Sequence, residues 1–390
     1  MDKKQYDNPL RRQCQSLAAL CADQIAGVRQ GLEVISAQEL QSVRNVLVTG
    51  CGDSYLAARA CLPAFRQFNR AFGTGFEAPR CIDLARTYEI TAQNTPATLV
   101  VCISASGGPA RVREALLRAK AQGCRTMLIT NNPQSPGAQA ADFPLVVHTP
   151  DFPESSPGLR NYYASLVGLY GLAAKLGEAR GLSPVGTLDR LFDAISAFTA
   201  DFGRAFPGLD DTAWALAQRW KDFAAYEAVG DNIDFSTASF IAAKFVEVTG
   251  DVAPTVDSED WCHVNYFAHD AGRVGTIVVS NVRENNRSRI AETVFQAAGV
   301  GRPVLLITNG TAQDYNLKPD SGVTVCTLPE PPEGYPFLMP LLGYLPGALL
   351  AAYVAALRGD PYFRGEDSPQ KRSPVGSSIG TSSIEVPQEG

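Results

Sequence analysis

Apolar residues in this chain fall into short runs separated by amphipathic stretches. Residues 46–50, 99–103, 127–130 and 145–148 are brief apolar runs of strand length. Residues 55–72 and 110–122 carry helical spacing, the second through Val112, Ala115, Leu116 and Ala119, with Gly123 as its stop. The β-branched run at 99–103 suits a strand covered on both faces, the habit of parallel sheets. The same alternation then returns, with strands at 223–229, 276–279, 304–308 and 323–328 and helices at 235–249 and 287–298. The shift that carries Thr98 onto Thr276 also pairs Gly52-Asp53 with Gly230-Asp231, Arg111 with Arg289, Glu114 with Glu292, Gly123 with Gly301, and residues 128–131 with 306–309. One gapless shift matching so many elements identifies two copies of one unit.

Strands alternating with helices imply parallel pairing and right-handed crossovers, so each copy is expected to be a parallel sheet in a three-layer αβα sandwich. The chain is therefore read as α/β with two tandem domains. Residues 1–44 form a helical preface, 45–180 the first domain and 181–358 the second, opened by a linker at 181–187 and a helix at 188–220. Residues 359–390 form a tail rich in Pro, Gly and Ser with little power to build a core. The run at 337–357 is about long enough to span a bilayer, but Pro340, Pro346 and interspersed glycines favour a core helix, and no membrane partner is expected.

Composition narrows the chemistry. At 390 residues and 45% hydrophobic, the chain is too apolar for disorder and long enough for two cores. The 34 Lys and Arg against 40 Asp and Glu leave a charge of −6, so no basic surface draws nucleic acid, and an anionic ligand must be held locally. Nine scattered cysteines with no C-x-x-C spacing read as reduced thiols, which implies the cytoplasm. The N-terminal MDKKQYDNPLRRQ lacks an apolar signal core, so no secretory leader is expected.

In a parallel sheet, ligands bind beyond the carboxyl ends of the strands, where helix N-termini expose N–H groups. Ser104-Ala105-Ser106-Gly107-Gly108-Pro109 occupies that position, with two hydroxyls and two glycines ahead of a helix, as a phosphate cradle requires. Serines that merely cap the helix would give the same string. Gly52-Asp53-Ser54 ends the preceding strand and stands either beside that cradle or as a helix cap. The corresponding turn at 282–287 lacks both serines, so one phosphate site per chain is expected, in the first copy.

These residues resemble the sugar isomerase (SIS) family, which includes phosphosugar isomerases, deglycases and the isomerase half of glutamine–fructose-6-phosphate aminotransferase. The resemblance covers roughly residues 45–390. It places Gly52, Asp53 and Ser54 on the family's Gly-Thr-Ser, and Ser104, Ala105, Ser106 and Gly107 on its Ser-x-Ser-Gly phosphate loop. Gly108-Pro109 stand where the family commonly has Glu-Thr or Glu-Ser, which removes one phosphate-binding hydroxyl. Arg160 falls near a family lysine. Residues 240–247 resemble the helix ending in Leu-Lys-x-x-Glu, which implies Glu247 as the base moving a proton between C1 and C2 and Lys244, on the same helix face at i, i+3, as its support. Without the family context, the two would read as an ordinary surface pair.

His263, three residues after Asp260 and four after Glu259, resembles the histidine that opens the sugar ring; a hydrogen-bonded structural histidine is the alternative. Its spacing from His269 does not suit a metal pair, and no metal or other cofactor is expected. Residues 382–386 resemble the family's closing segment, with Thr381 in place of its lysine and Lys371 out of register. The resemblance thus implies a cytoplasmic homodimer that binds a phosphorylated sugar or amino-sugar and acts as an isomerase or deglycase. So little chain precedes the first strand, with no cysteine after Met1, that glutaminase activity is not expected. Pro109 and Thr381 also suit a regulator that binds the phosphosugar without turnover.

Overall fold

The computed structural model describes residues 1–71, 73–90, 95–365, 368–373 and 378–386. Phe72, at the end of the expected helix 55–72, and several residues of the 359–390 tail lie outside that set. The chain divides into two compact units. One comprises Leu20–Asp151, Arg160–Ser196 and Ser373–Gly390; the other comprises Met1–Ala19, Phe152–Leu159 and Ala197–Arg372.

The first unit holds a five-stranded sheet of β1 (Asn45–Gly50), β2 (Gly75–Glu77), β3 (Thr98–Ile103), β4 (Arg125–Thr130) and β5 (Phe143–Val146). All pairings are parallel, in the order β2-β1-β3-β4-β5. Every residue of β3 is buried, as its unbroken apolar run requires. Alternation along the strands sends Leu47, Val100, Cys102 and Leu128 to one face, where they pack on Leu84, Val112, Leu116 and Ala138 from the helices Cys81–Arg86, Ala110–Ala121 and Pro136–Ala140. The expected helix at 55–72 is in fact two, Asp53–Ala60 and Leu62–Phe68, because Pro63 cannot donate into a continuous helix and instead sits in the first turn of the second.

The second unit repeats the plan with β6 (Ala225–Val229), β7 (Thr255–Val256), β8 (Val274–Ser280), β9 (Val304–Thr308) and β10 (Thr324–Thr327), ordered β10-β9-β8-β6-β7 and again parallel. Trp261, Val278, Ile290, Val294 and Leu306 form part of its core. The edge strands β2 and β7 were not foreseen, being three and two residues long with no apolar run of their own. The apolar stretch near 337–357 forms the helices Met339–Leu342 and Leu345–Arg358, and its most apolar window is wholly buried. Gly347 permits this packing: a Cβ there would lie 2.5 Å from the Ile241 side chain on the helix Asp234–Thr249.

The copies are less uniformly spaced than a gapless shift implies. Asn45 pairs with Thr98 in one sheet and Ala225 with Val274 in the other. Gly50 and Gly230 are the equivalent strand-end glycines, each too close to the residue four positions on, Ser54 and Asp234, to carry a Cβ. Counted from these pairs, Ser104 corresponds to Ser280 rather than to Val282, so the second copy keeps one of the serines that a gapless shift assigns as lost. Its hydroxyl is buried and accepts a hydrogen bond from Tyr315 at 2.9 Å.

Asp234, which stands where the first copy has Ser54, is buried, and its Oδ2 accepts the Asn281 N–H at 2.7 Å. Burial pushes its carboxyl up to about 7, with the charges of Glu284 and Asp231 adding to the rise. The folded state therefore binds a proton that the unfolded chain releases near pH 4, and the stability this confers is lost as pH rises towards 7. Asp234→Asn keeps an acceptor for Asn281 and removes the titration. Urea unfolding across this range should show the variant gaining on the wild-type chain as pH rises, with a difference that levels off above about pH 7.

Candidate functional site

The site in the first unit begins where two adjacent strands stop together, Gly50 of β1 lying opposite Ile103 of β3. β2 lies on one side of β1, and β3, β4 and β5 lie on the other, so the chain reverses its direction of travel across the sheet between β1 and β3. Such a reversal leaves a crevice above the strand ends. Residues 51–54 and 104–109 line it from the two strands. A Cβ on Gly50 would come within 2.5 Å of the Ser54 Cβ, so glycine lets the helix Asp53–Ala60 start directly over the strand end. Gly52 takes φ +55°, open to glycine at little cost.

The two serines have different tasks. Ser104 is buried, and its Oγ accepts the Gly107 N–H at 3.1 Å, which makes it a brace within the loop. Ser106 is exposed; its Oγ accepts the Gly108 N–H at 3.3 Å, leaving its hydroxyl hydrogen available to a ligand. Ala105 is tied to the next strand, its carbonyl accepting the Asn131 N–H at 2.9 Å. Gly107 has φ +62°, and a Cβ there would sit 1.9 Å from the Ser135 Oγ, so no other residue fits.

The C-terminal segment supplies the other wall of this loop. The Ile379 carbonyl accepts the N–H of Ala110, the first residue of the helix Ala110–Ala121, at 2.7 Å. An anion bound at that helix start would share its donors with this carbonyl. Glu114, fully buried, anchors the segment: it pairs with Arg86 at 2.8 Å and with Arg111, and it accepts the Glu385 N–H at 2.6 Å. Arg111 reaches Ser382 Oγ at 3.3 Å and the Ser383 carbonyl, while Arg86 pairs with the Glu385 carboxylate at 2.7 Å. Thr381 sits in the turn that starts at Ser378. The tail builds no core, as its composition requires, but charged hydrogen bonds fix it in place.

In the second unit, Lys244 is completely buried, with Nζ 2.6 Å from Glu247 Oε2 and 4.5 Å from the Phe240 ring centroid. Burial of an ammonium demands such partners, and it fixes the Glu247 carboxylate, which is 31% exposed and within reach of a ligand. His263 is 68% exposed, and its Nε2 meets Glu259 Oε1 at 2.9 Å, so Glu259 rather than Asp260 orients the ring. Glu259 is itself held by Arg289 Nε at 2.7 Å.

A residue absent from the sequence reading holds this segment in place. Glu227, buried in β6, accepts from Trp261 Nε1 at 2.8 Å, Thr276 Oγ1 at 2.7 Å and Asn265 Nδ2 at 2.9 Å. A carboxylate inside the apolar strand Ala-Tyr-Glu-Ala-Val was the available signal. The crevice over β6 and β8 is bridged by hydrogen bonds: Asp231 accepts from Ser258 N at 2.8 Å, Ser258 Oγ at 2.7 Å and Asn286 Nδ2 at 2.8 Å.

The structure thus gathers Gly52, Asp53, Ser54 and Ser104–Gly108 at the ends of β1 and β3. Arg160 stands second in the helix Leu159–Ala179, and Lys244 with Glu247 forms a pair on its own helix. Cys51 stands next to Gly52, and its sequence position alone does not set it apart from the other eight cysteines. It is exposed, and its proximity to Cys81, helped by Arg111, draws its thiol below the ordinary cysteine value. The tail offers a direct test. Glu114→Gln removes the charge that holds two arginines and should raise amide exchange at residues 378–386 by about tenfold or more. Exchange within β3 should stay unchanged, and hydrogen-exchange mass spectrometry reads both.

Comparison with known proteins agrees with this geometry. Residues 39–174 match the SIS domain family. The glutamine–fructose-6-phosphate aminotransferase (isomerizing) of Mycolicibacterium paratuberculosis is 24% identical over 341 residues, which are 83% of this chain and 50% of that protein. The chain spans between a third and just over half of the length of the curated relatives it matches. Among solved structures, the C-terminal domain of glucosamine-fructose-6-phosphate aminotransferase from Francisella tularensis superposes with a TM-score of 0.76 at 16% identity, covering 92% of this chain and 99% of that one. Glucosamine-6-phosphate deaminase from Thermotoga maritima gives 0.58 at 17% identity, covering 90% and 96%. A loop at the strand reversal, two sheets of one topology and a family match across the first of them identify residues 39–174 as an SIS domain, within a chain that has the two-domain α/β fold of the solved structures it superposes on.

Proposed function

We propose that the chain is a cytoplasmic phosphosugar isomerase or deglycase, acting as a homodimer on a hexose or hexosamine 6-phosphate by proton transfer between C1 and C2. The observation that carries this reading is the Ser104–Gly108 loop, braced from within and presenting the Ser106 hydroxyl at the strand reversal of an SIS domain. The Ser106 hydroxyl donates to the phosphate, with Ser54 on the neighbouring turn and Arg160 as further donors. Glu247 takes the proton from C2 of the open-chain sugar. The C2–H electron pair forms the C1–C2 double bond and the carbonyl pair moves to O1 to give an enediolate; the O2 proton passes to O1, and Glu247 returns its proton at C1 as the carbonyl forms at C2. Lys244 holds the Glu247 carboxylate in place for this task, and His263, oriented by Glu259, passes the proton of the anomeric hydroxyl to the ring oxygen during opening. For an amine-bearing substrate the same enolisation precedes loss of the amine to water.

A second reading, a phosphosugar-binding regulator without turnover, is favoured by Pro109 in place of a phosphate-binding hydroxyl and by Thr381 in place of the family lysine. Incubation with hexose and hexosamine 6-phosphates in D2O separates the two. Deuterium should enter at C2, and Glu247→Gln should lower its rate by about 10² to 10⁴ while ligand binding persists. Ser106→Ala should weaken every phosphorylated ligand by about tenfold, consistent with loss of a hydrogen bond to a charged group. Binding without exchange across the panel assigns the regulator role. Neither binding nor exchange defeats both readings.

A further inference from the structure

The second unit holds a cavity that the phosphosugar reading does not use. It lies at the carboxyl ends of β8 and β9, is lined by Asn281, Arg283, Asn309, Glu330, Pro332 and Pro336 among others, and has a volume of about 560 Å³. That volume falls within the range of small-molecule sites and is ample for a monosaccharide.

Two of its lining side chains have hydrogen-bonding capacity left over. Asn281 is 1% exposed and Asn309 is 8% exposed. The carbonyl oxygen of each is engaged, Asn281 Oδ1 by the Arg283 N–H at 3.0 Å and Asn309 Oδ1 by the Val282 N–H at 2.8 Å. These bonds fix which end of each amide carries nitrogen. Both Nδ2 groups are buried and have no hydrogen-bond partner among the described residues. Two buried amide donors bordering one cavity call for oxygen acceptors.

Charge decides what kind of oxygen. Arg283 is neutralised by Glu330, with Nε 2.6 Å from Oε1, and Glu333 adds a second carboxylate to the rim. A phosphate or carboxylate would meet excess negative charge there. Hydroxyl oxygens meet no such penalty: they accept from the two amides and donate to Glu330 and Glu333, while Pro332 and Pro336 offer apolar surface to the C–H face of a sugar ring. We infer that this cavity is a second ligand site, for an uncharged monosaccharide or polyol, distinct from the phosphate loop of the first unit. The inference stands whether or not the phosphosugar reading holds, because it shares no residue with it.

Saturation-transfer NMR on the full chain, with glucose, sorbitol and glucose 6-phosphate as probes, tests it. Glucose or sorbitol should bind saturably at about millimolar strength. Asn309→Asp keeps the acceptor for Val282 and removes the amino group, and should weaken these neutral probes by about tenfold. Ser106→Ala should leave their binding unchanged, and glucose 6-phosphate should not displace them. A photoreactive glucose probe on the wild-type chain should label residues 330–336, which keeps the test open should the variant fail to fold. No saturable binding, binding indifferent to Asn309→Asp in a folded variant, loss of binding with Ser106→Ala, or labelling confined to other peptides would each overturn the site.

Discussion

Everything at the first crevice depends on two neighbouring parallel strands ending level with one another. Because Gly50 faces Ile103 at the last pair of the β1–β3 ladder, the turns that follow both strands start at the same height. The strand order then sends their continuing chains to opposite flanks. The N-terminus of the helix Ala110–Ala121 borders that space, with the Ile379 carbonyl of the C-terminal segment on its Ala110 N–H. Gly50 is what makes the arrangement compact: a Cβ there would push the helix Asp53–Ala60 away from the strand end and widen the crevice at its base.

The second unit shows what becomes of the same geometry under a different sequence. Its strands follow the same order, yet above β6 and β8 the side chain of Asp231 gathers Ser258 and Asn286, and Asp234 takes the place of Ser54. A hydroxyl that can turn outward has been exchanged for carboxyls that accept from the protein itself. One topology thus carries an open, hydroxyl-bearing loop in one copy and internal bracing in the other, and the bracing holds the short helix that carries Glu259 and His263. Glu227 extends this support from below through the Trp261 indole. Conserving the fold while moving charge by a few residues is enough to separate the roles of the two halves.

Most of the central strands and long helices were legible because each carried a periodic apolar signal. The edge strands were not, since two or three residues supported mainly by one neighbour need no such signal. The repeat was legible, but its true spacing was not: insertions between strands leave apolar runs looking similar in several registers, and only strand pairing shows that Ser280 answers to Ser104. Of the site, the loop at 104–109 could be read from its glycines and serines and from its position after a strand. What could not be read was that Ser104 turns inward while Ser106 turns outward, because that depends on where the N–H groups of Gly107 and Gly108 point. Glu227 could have been found from a carboxylate interrupting an apolar strand. Cys51 had no sequence signal beyond its adjacency to Gly52, since its acidity comes from Cys81, thirty positions away in sequence.

The tail makes the same point about composition. A segment rich in Pro, Gly and Ser has no apolar surface to bury, and on that ground it reads as structurally idle. Residues 378–386 instead sit on the first unit through a few strong polar bonds converging on one buried carboxylate, Glu114, with Arg86 and Arg111 as intermediaries. Such anchoring is local and short in range. It orders residues 378–386 beside the Ser104–Gly108 loop without enlarging any core, and it places the Ile379 carbonyl on a helix N–H that would otherwise be open. The same residues that hold the tail therefore set how many donors the loop can offer. In this chain, the free donors of the loop and the order of residues 378–386 both follow from one network of charges.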